Sequence, residues 1–393
     1  MFLQLEKSKM VEKLEPDWEI VDALMEMDGT DAYKCYQCGK CAGACPLNML
    51  ESVTYPVYRV PYEVKLGVID SEGPEVWQCV GCEACKNTCP RGISQAKVMR
   101  AVRRILTEFG GMPGTLQSVV ASISSGGNPF MEGPEKRTAW AKDLDLPAFD
   151  GTHEFLYFSC CTPAYDARAQ KLAVATVKIL KKADVSFGTL GDKEKCCGEA
   201  IRRAGAEEVF MNVASANVAT FNAAEVKKIL VQSPHCYISF KNEYPEFDGN
   251  YEVVHVVELF DKLIKEGALK PKKAVEKKVV YHDPCTLGRQ SGIYEEPREV
   301  LQSIPGIELI EFPNFNREFG ICCGGGGGGL WVEQEMDARL SNLRVRQAVE
   351  TGADILAVAC PYCLQMFEDA VANLQLDIEV RDISELLAES LEL

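Results

Sequence analysis

The sequence predicts an α+β protein: a largely helical, cysteine-rich N-terminal module, followed by two copies of one open α/β domain. Three observations predict it. Two cysteine runs of identical spacing lie within the first hundred residues. A second set of cysteines recurs at a near-constant offset: Cys161 to Cys285, Cys196 to Cys322 and Cys236 to Cys363 are 124, 126 and 127 residues apart. An offset kept at three places marks an internal duplication. Within each copy, short β-type apolar runs alternate with helical patterns, as in open α/β sheets. The expected divisions are residues 1–110, a linker over 111–152, a first repeat over 153–272 and a second over 273–393.

In chain order, Glu12 to Met27 reads as a helix packed beneath the first cysteine run. That run is Cys35-Tyr36-Gln37-Cys38-Gly39-Lys40-Cys41-Ala42-Gly43-Ala44-Cys45-Pro46, and it returns as Cys79, Cys82, Cys85 and Cys89-Pro90. Both are C-x2-C-x2-C-x3-C-P, the bacterial ferredoxin run, in which the fourth cysteine ligates the other cluster. The expected ligand sets are therefore Cys35, Cys38, Cys41 and Cys89 for one [4Fe-4S] cluster, and Cys79, Cys82, Cys85 and Cys45 for the second. Zinc is the competing reading, but it prefers two-cysteine knuckles a dozen or more residues apart. Tyr62 to Ile69 is a short helix. Ser94 to Phe109 is an amphipathic one, with Val98, Val102, Ile105 and Leu106 on its apolar face and Gly110-Gly111 as its stop.

Gly111 to Gly151 is rich in Gly, Pro and Ser and reads as an interdomain connector. The stretch Gly127 to Phe130, with Arg137 and Trp140 after it, points to an ordered segment rather than a loose tether.

The first repeat opens with a strand over Glu154–Phe158 that ends at Cys160-Cys161, then a helix over Ala167–Lys181. A helix follows Cys196-Cys197-Gly198 through about Phe210. Asn217 to Val231 begins a third helical unit, leading to a strand near Pro234–Ile238 that carries His235 and Cys236. A strand over Tyr251–Val256 and a helix over Val257–Ile264 complete the copy. The second repeat keeps this order: strand Lys278–Tyr281 into Cys285, helix Pro297–Leu301, strand Ile307–Phe312, Cys322-Cys323, helix Met336–Glu350, strand Ile355–Ala359 into Cys360, then Ile378–Asp382 and Ile383–Leu391. Ligands of open α/β sheets gather beyond the carboxyl ends of strands, which is where these cysteines fall. The six glycines Gly324–Gly329 read either as a flexible turn or as close backbone approach, with amides of Gly324, Gly325 and Gly326 turned toward cluster sulfur.

The net charge of −16 repels phosphate backbones, which excludes nucleic acid as an expected partner. No apolar run reaches membrane-spanning length and no secretory pattern opens the chain, so a cytoplasmic protein is expected. Eighteen clustered cysteines in a reducing compartment point to metal ligation rather than disulfides.

A ferredoxin-type pair of runs followed by paired Cys-Cys-Gly repeats resembles the heterodisulfide reductases, specifically their D-type component, which is equivalent to the C-type and B-type components fused. Tyr281-His282-Asp283-Pro284-Cys285, Cys322-Cys323-Gly324 and Asn128-Pro129-Phe130…Trp140 carry the resemblance. It implies a noncubane [4Fe-4S] cluster held by Cys285, Cys322, Cys323, Cys360 and Cys363. In the first repeat it implies ligation by Cys161, Cys196, Cys197 and Cys236 only, because Ser233 stands where the second repeat has Cys360. That site is expected to hold a further [4Fe-4S] cluster, and Cys160 either replaces the missing thiol or is a buried bystander. Thr286 stands where a histidine follows in the family. His282 and Arg289 are the residues placed to supply a proton or hold an anionic substrate, with His235 a weaker counterpart.

The expected function is an iron–sulfur electron-transfer subunit of a multi-subunit oxidoreductase. No dinucleotide-binding fingerprint is read here, so flavin is expected in a partner: a protein like the A-type component of heterodisulfide reductase, or a flavoprotein dehydrogenase. Other iron–sulfur subunits, and a partner at the membrane periphery, are expected beside it. The competing functions are a disulfide reductase of the CoB-S-S-CoM type acting at the second repeat, and a zinc-bearing scaffold without redox work.

Overall fold

The computed structural model describes residues 15–69 and 75–393; the start of the expected Glu12–Met27 helix lies outside them. Two four-stranded parallel sheets form the repeats. The first comprises β1 (Phe155–Phe158), β2 (Phe187–Gly188), β3 (Lys228–Val231) and β4 (Glu252–His255), in the order β2-β1-β3-β4. The second comprises β5 (Lys277–Tyr281), β6 (Ile307–Ile310), β7 (Ile355–Val358) and β8 (Glu379–Asp382), in the order β6-β5-β7-β8. The two orders are the same, so the duplication is one of topology as well as sequence. β1 and β7 are buried at every position, which is why they read as unbroken apolar runs. In both sheets the strand order reverses beside the first strand, and the crevice opens at the carboxyl ends there.

The helices Trp18–Glu26, Arg59–Leu66 and Gln95–Glu108 build the N-terminal module. The last is capped by the Ser94 hydroxyl, which accepts from the Lys97 amide, and buries Val98, Val102, Ile105 and Leu106. Its Arg103 is nearly sealed from solvent and donates to the carbonyls of Val76, Cys79, Arg203 and Gly327, tying the module to both repeats. The repeats are tied to each other by exchange. The helix after β8 (Ile383–Ser390) packs on the helix after β1 (Gln170–Lys182), and the helix after β4 (Val256–Lys265) packs on that after β5 (Glu295–Gln302).

Several elements differ from the sequence reading. The expected linker contains a helix, Gly114–Gly126, which buries Leu116, Val119 and Ile123 on one side. After it, the buried Asn128 amide bonds the carbonyls of Gly126 and Glu132, and a bridge from Ala148 to Thr189 extends the first sheet. The segment is therefore a packed strap, in which Ser122 is buried beside the short apolar stripe and donates to the Asn128 carbonyl. Pro234–Ile238 is a helix, not a strand, because Pro234 sits at its first turn and Ser233 caps it; the third strand is Lys228–Val231 instead. The helix expected through Phe210 breaks at Gly205, whose φ of +90° and close approach to the Arg103 backbone exclude a side chain. The helix expected from Met336 begins at Leu340, after a single 3-10 turn.

Candidate metal centres

In the N-terminal module each cysteine run turns through left-handed residues, Gln37 and Gly39 in the first, Gly81 and Glu83 in the second. Each run then enters a short helix, Lys40–Ala44 or Ala84–Thr88, which carries its third cysteine, Cys41 or Cys85. The two short helices pack together, which delivers each fourth cysteine to the opposite loop. One cavity is lined by Cys45, Cys79, Cys82 and Cys85, with Leu47, Tyr55 and Met99 among its apolar walls. The other is lined by Cys35, Cys38, Cys41 and Cys89, with Cys85 at the boundary between them. All these thiols are free. Burial raises Cys45, Cys79 and Cys85 above the ordinary thiol range, a penalty that a bound metal's charge would offset. The buried Tyr55 hydroxyl lies by Cys79 and has no nitrogen or oxygen partner among the described residues, as fits a donor to cluster sulfur.

The second repeat gathers Cys285 after β5, Cys322 and Cys323 after β6, and Cys360 and Cys363 at the start of the helix after β7 (Pro361–Leu374). The Cys285 and Cys322 sulfurs are 3.7 Å apart, and those of Cys323 and Cys363 3.3 Å. The Gly324 and Gly325 amides approach the Cys322 and Cys323 sulfurs at 3.4 and 3.5 Å. The remaining glycines do different work. A Cβ on Gly326 would lie 2.6 Å from the Val80 carbonyl oxygen, and one on Gly327 2.8 Å from that of Cys79. The run thus seats the second ferredoxin-type loop against the repeat. Its letters satisfy G-x-G-x-x-G, yet it leads into a single 3-10 turn, Gly329–Trp331, rather than a phosphate-binding helix.

His282 is fully buried; its Nδ1 accepts from Arg344 Nε at 3.3 Å, and its ring edge meets Phe367. Its donor atom and the Cys323 and Cys363 sulfurs lie within 4.8 Å of one another. Arg289 donates to the carbonyls of Cys82, Glu318 and Gly320, clamping the ferredoxin-type loop, while Nη2 has no hydrogen-bond partner among the described residues. Cys322 beside it holds the Cys82 thiol below the ordinary range, at about 6.

The first repeat brings Cys161, Cys196, Cys197 and Cys236 together, with Cys160 among them. Arg137 points Nη1 at Cys161 Sγ (3.5 Å) while Nε bonds Glu194 at 3.0 Å, a buried cation beside these thiols. Ser233 Oγ accepts from the His235 amide at 3.3 Å. His235 Nδ1 pairs with Glu199 at 2.9 Å, and the ring lies beside Cys360 and against Tyr362, with centroids 4.5 Å apart and planes tilted by 32°. Arg344, Tyr362, Tyr55 and Glu199 escaped the sequence reading. Tyr362 was in view inside Cys360-Pro361-Tyr362-Cys363, whereas nothing local marks Arg344 or Tyr55.

A helical module with two four-thiol cavities, joined to a duplicated parallel unit with thiols at its strand ends, defines an iron–sulfur protein. Its sequence matches the models of a 4Fe-4S dicluster domain over residues 31–93 and of a cysteine-rich domain over 155–241 and again over 279–368. The D-type component of the dihydromethanophenazine:CoB–CoM heterodisulfide reductase of Methanosarcina barkeri is 35% identical over 307 residues, covering 76% of this chain and 74% of that protein. The chain belongs to this family of iron–sulfur proteins, that of the heterodisulfide reductase D-type component. It is also 37% identical to "EtfAB:quinone oxidoreductase" of Syntrophomonas wolfei, over 75% of this chain and 43% of that one. "Probable iron-sulfur-binding oxidoreductase FadF" of Bacillus subtilis is 38% identical, over 73% and 42% respectively. The chain thus spans less than half the length of these two relatives. Among the described residues, no helix is long and apolar enough to cross a membrane.

Proposed function

We propose that the chain is the iron–sulfur electron-transfer subunit of an oxidoreductase, carrying electrons between a ferredoxin-type pair and a five-thiol site in the second repeat. The observation that carries this reading is the contact of Cys82 with Cys322, which sets a thiol of the dicluster module against a thiol of the repeat. Bound clusters supply one-electron transfer, at potentials set by hydrogen bonds to sulfur and by solvent exposure. The ligand sets are Cys35, Cys38, Cys41 and Cys89; Cys45, Cys79, Cys82 and Cys85; Cys285, Cys322, Cys323, Cys360 and Cys363 as a noncubane site; and Cys161, Cys196, Cys197 and Cys236 in the first repeat. Cys38 is the exposed thiol of the described set, whereas Cys82, Cys322 and Cys360 are buried. The dicluster cavity at the surface is therefore where a flavin-bearing partner exchanges electrons. The name of the Syntrophomonas relative pairs EtfAB with quinone, which supports such a redox partnership.

Iron and acid-labile sulfide in anaerobically purified chain test the reading. At least about eight irons per chain are expected from the dicluster module alone. Stoichiometric zinc, or iron below that number, overturns it. Thiol release from a mixed disulfide by the reduced chain alone would replace electron relay with disulfide reduction as its role.

A further inference from the structure

In the second repeat the thiols follow one another in a fixed order. Cys285 meets Cys322, Cys322 its neighbour Cys323, Cys323 meets Cys363, and Cys363 adjoins Cys360. The first repeat reproduces the order: Cys161 meets Cys196, then come Cys197 and Cys236, and Cys236 adjoins Cys160. By chain position the counterpart of Cys360 is Ser233, but the Ser233 hydroxyl is spent on capping its own helix. The residue matching Cys160 at the Cys161–Cys285 offset is Pro284.

The backbone at Cys160 is also abnormal. Its φ of +75° and ψ of 160° fall in a region occupied almost solely by glycine. A residue with a Cβ persists there when its surroundings fix it, and here the thiol is one of the groups that act on Cys236. The surroundings of the two odd thiols correspond as well. His235 of the first repeat touches Cys360 of the second. Tyr362, the residue of the second repeat that aligns with His235, is buried and has Cys160 among the thiols around it, and the two rings face each other at a tilt of 32°. Cys160 and Cys360 thus each lie near the ring that the opposite repeat contributes to one ring pair.

We propose that Cys160 is the fifth metal-binding thiol of the first repeat, supplying from the end of β1 the ligand that Ser233 no longer supplies after β3. The inference rests on the iron–sulfur reading above. It makes the first repeat a five-thiol site like the second rather than a four-thiol one, and each thiol gives up its proton on binding iron.

The test uses full-length chain reconstituted anaerobically with iron and sulfide, read by metal content, electron paramagnetic resonance and Mössbauer spectra. Cys161→Ser first identifies the signal of the first repeat by removing it. Cys160→Ser is expected to abolish the five-thiol form of that signal, while the dicluster and second-repeat signals persist and report an intact fold. Adding Ser233→Cys to Cys160→Ser is expected to bring the signal back, because the thiol has been moved to the other strand end. A Cys160→Ser spectrum like that of the parent chain, or a double variant that regains nothing, overturns the proposal. So does a parent chain in which Cys161→Ser leaves the iron content unchanged, although the dicluster iron would then still uphold the electron-transfer reading.

Discussion

Gly326→Ala isolates the seam between the dicluster module and the second repeat. Gly326 has no left-handed backbone, so the added methyl imposes no conformational penalty. Its whole effect is steric: the new Cβ would stand 2.6 Å from the Val80 carbonyl oxygen, about 0.8 Å inside an ordinary contact of 3.4 Å. That oxygen cannot step aside. The adjoining carbonyls are gripped by Arg103 at Cys79 (2.6 Å), Gln290 at Gly81 (3.1 Å) and Arg289 at Cys82 (2.8 Å). Overpacking against such a wall costs about 1–3 kcal/mol. If the strain is relieved by opening the seam, amide exchange over residues 79–82 quickens about 5- to 150-fold. Gly352→Ala is the control: its φ is +75° with no atom within 4 Å, so it carries only the left-handed penalty of about 1–2 kcal/mol and leaves the seam closed. Hydrogen exchange followed by mass spectrometry compares the two. Exchange over 79–82 that quickens no more in Gly326→Ala than in Gly352→Ala would refute the assigned role of the glycine run.

The duplication also places His255 and Asp382 at equivalent strand ends, each opposite the last residue of the neighbouring strand and each capping a helix with a glutamate three residues on. Burial pushes His255 down to about 3 and Asp382 up to about 7. The fold favours neutral His255, so that stability is present above the ordinary imidazole pKa of 6.5 and is lost as pH falls toward 3. It favours protonated Asp382, so that stability is present below 3.8 and is lost as pH rises toward 7. Between about pH 4 and 6.5 the two slopes, each about 1.4 kcal/mol per pH unit, oppose each other. His255→Gln should therefore grow more stable on acidification across that window and Asp382→Asn less stable; denaturation at stepped pH checks this, and slopes of the same sign would contradict it. Cys89→Ala should erase the spectroscopic signal of the cavity that holds Cys35, Cys38 and Cys41 while sparing that of Cys79, Cys82 and Cys85. Loss confined to the second set would rule out crossed ligation.

What could be read from the sequence was local or periodic. The dicluster loops were legible because the ligand spacing is itself the structure: three thiols on a turn and a fourth before proline. The strands leading to Cys161, Cys285 and Cys360 were legible because buried parallel strands are continuously apolar. The helix Gly114–Gly126 was hidden by its Gly and Ser content, although Leu116, Val119 and Ile123 already marked one face. β2 is two residues long and offers no pattern to find. The strand expected at Pro234–Ile238 followed its Tyr and Ile, but the Ser-Pro start decides for a helix. Contacts such as Cys82 with Cys322, or His235 with Cys360, join distant segments, and only the folded chain brings them together.

The exchanged helices carry a consequence for how the molecule could be divided. Residues 383–390 cover the helix that follows β1, and residues 256–265 cover the helix that follows β5 in the other half. A cut between the halves would strip each of its cover, and trimming the last helix would wound the domain remote from it in the chain. The copies arose from one gene segment, yet neither any longer has a boundary at which it could be lifted out whole.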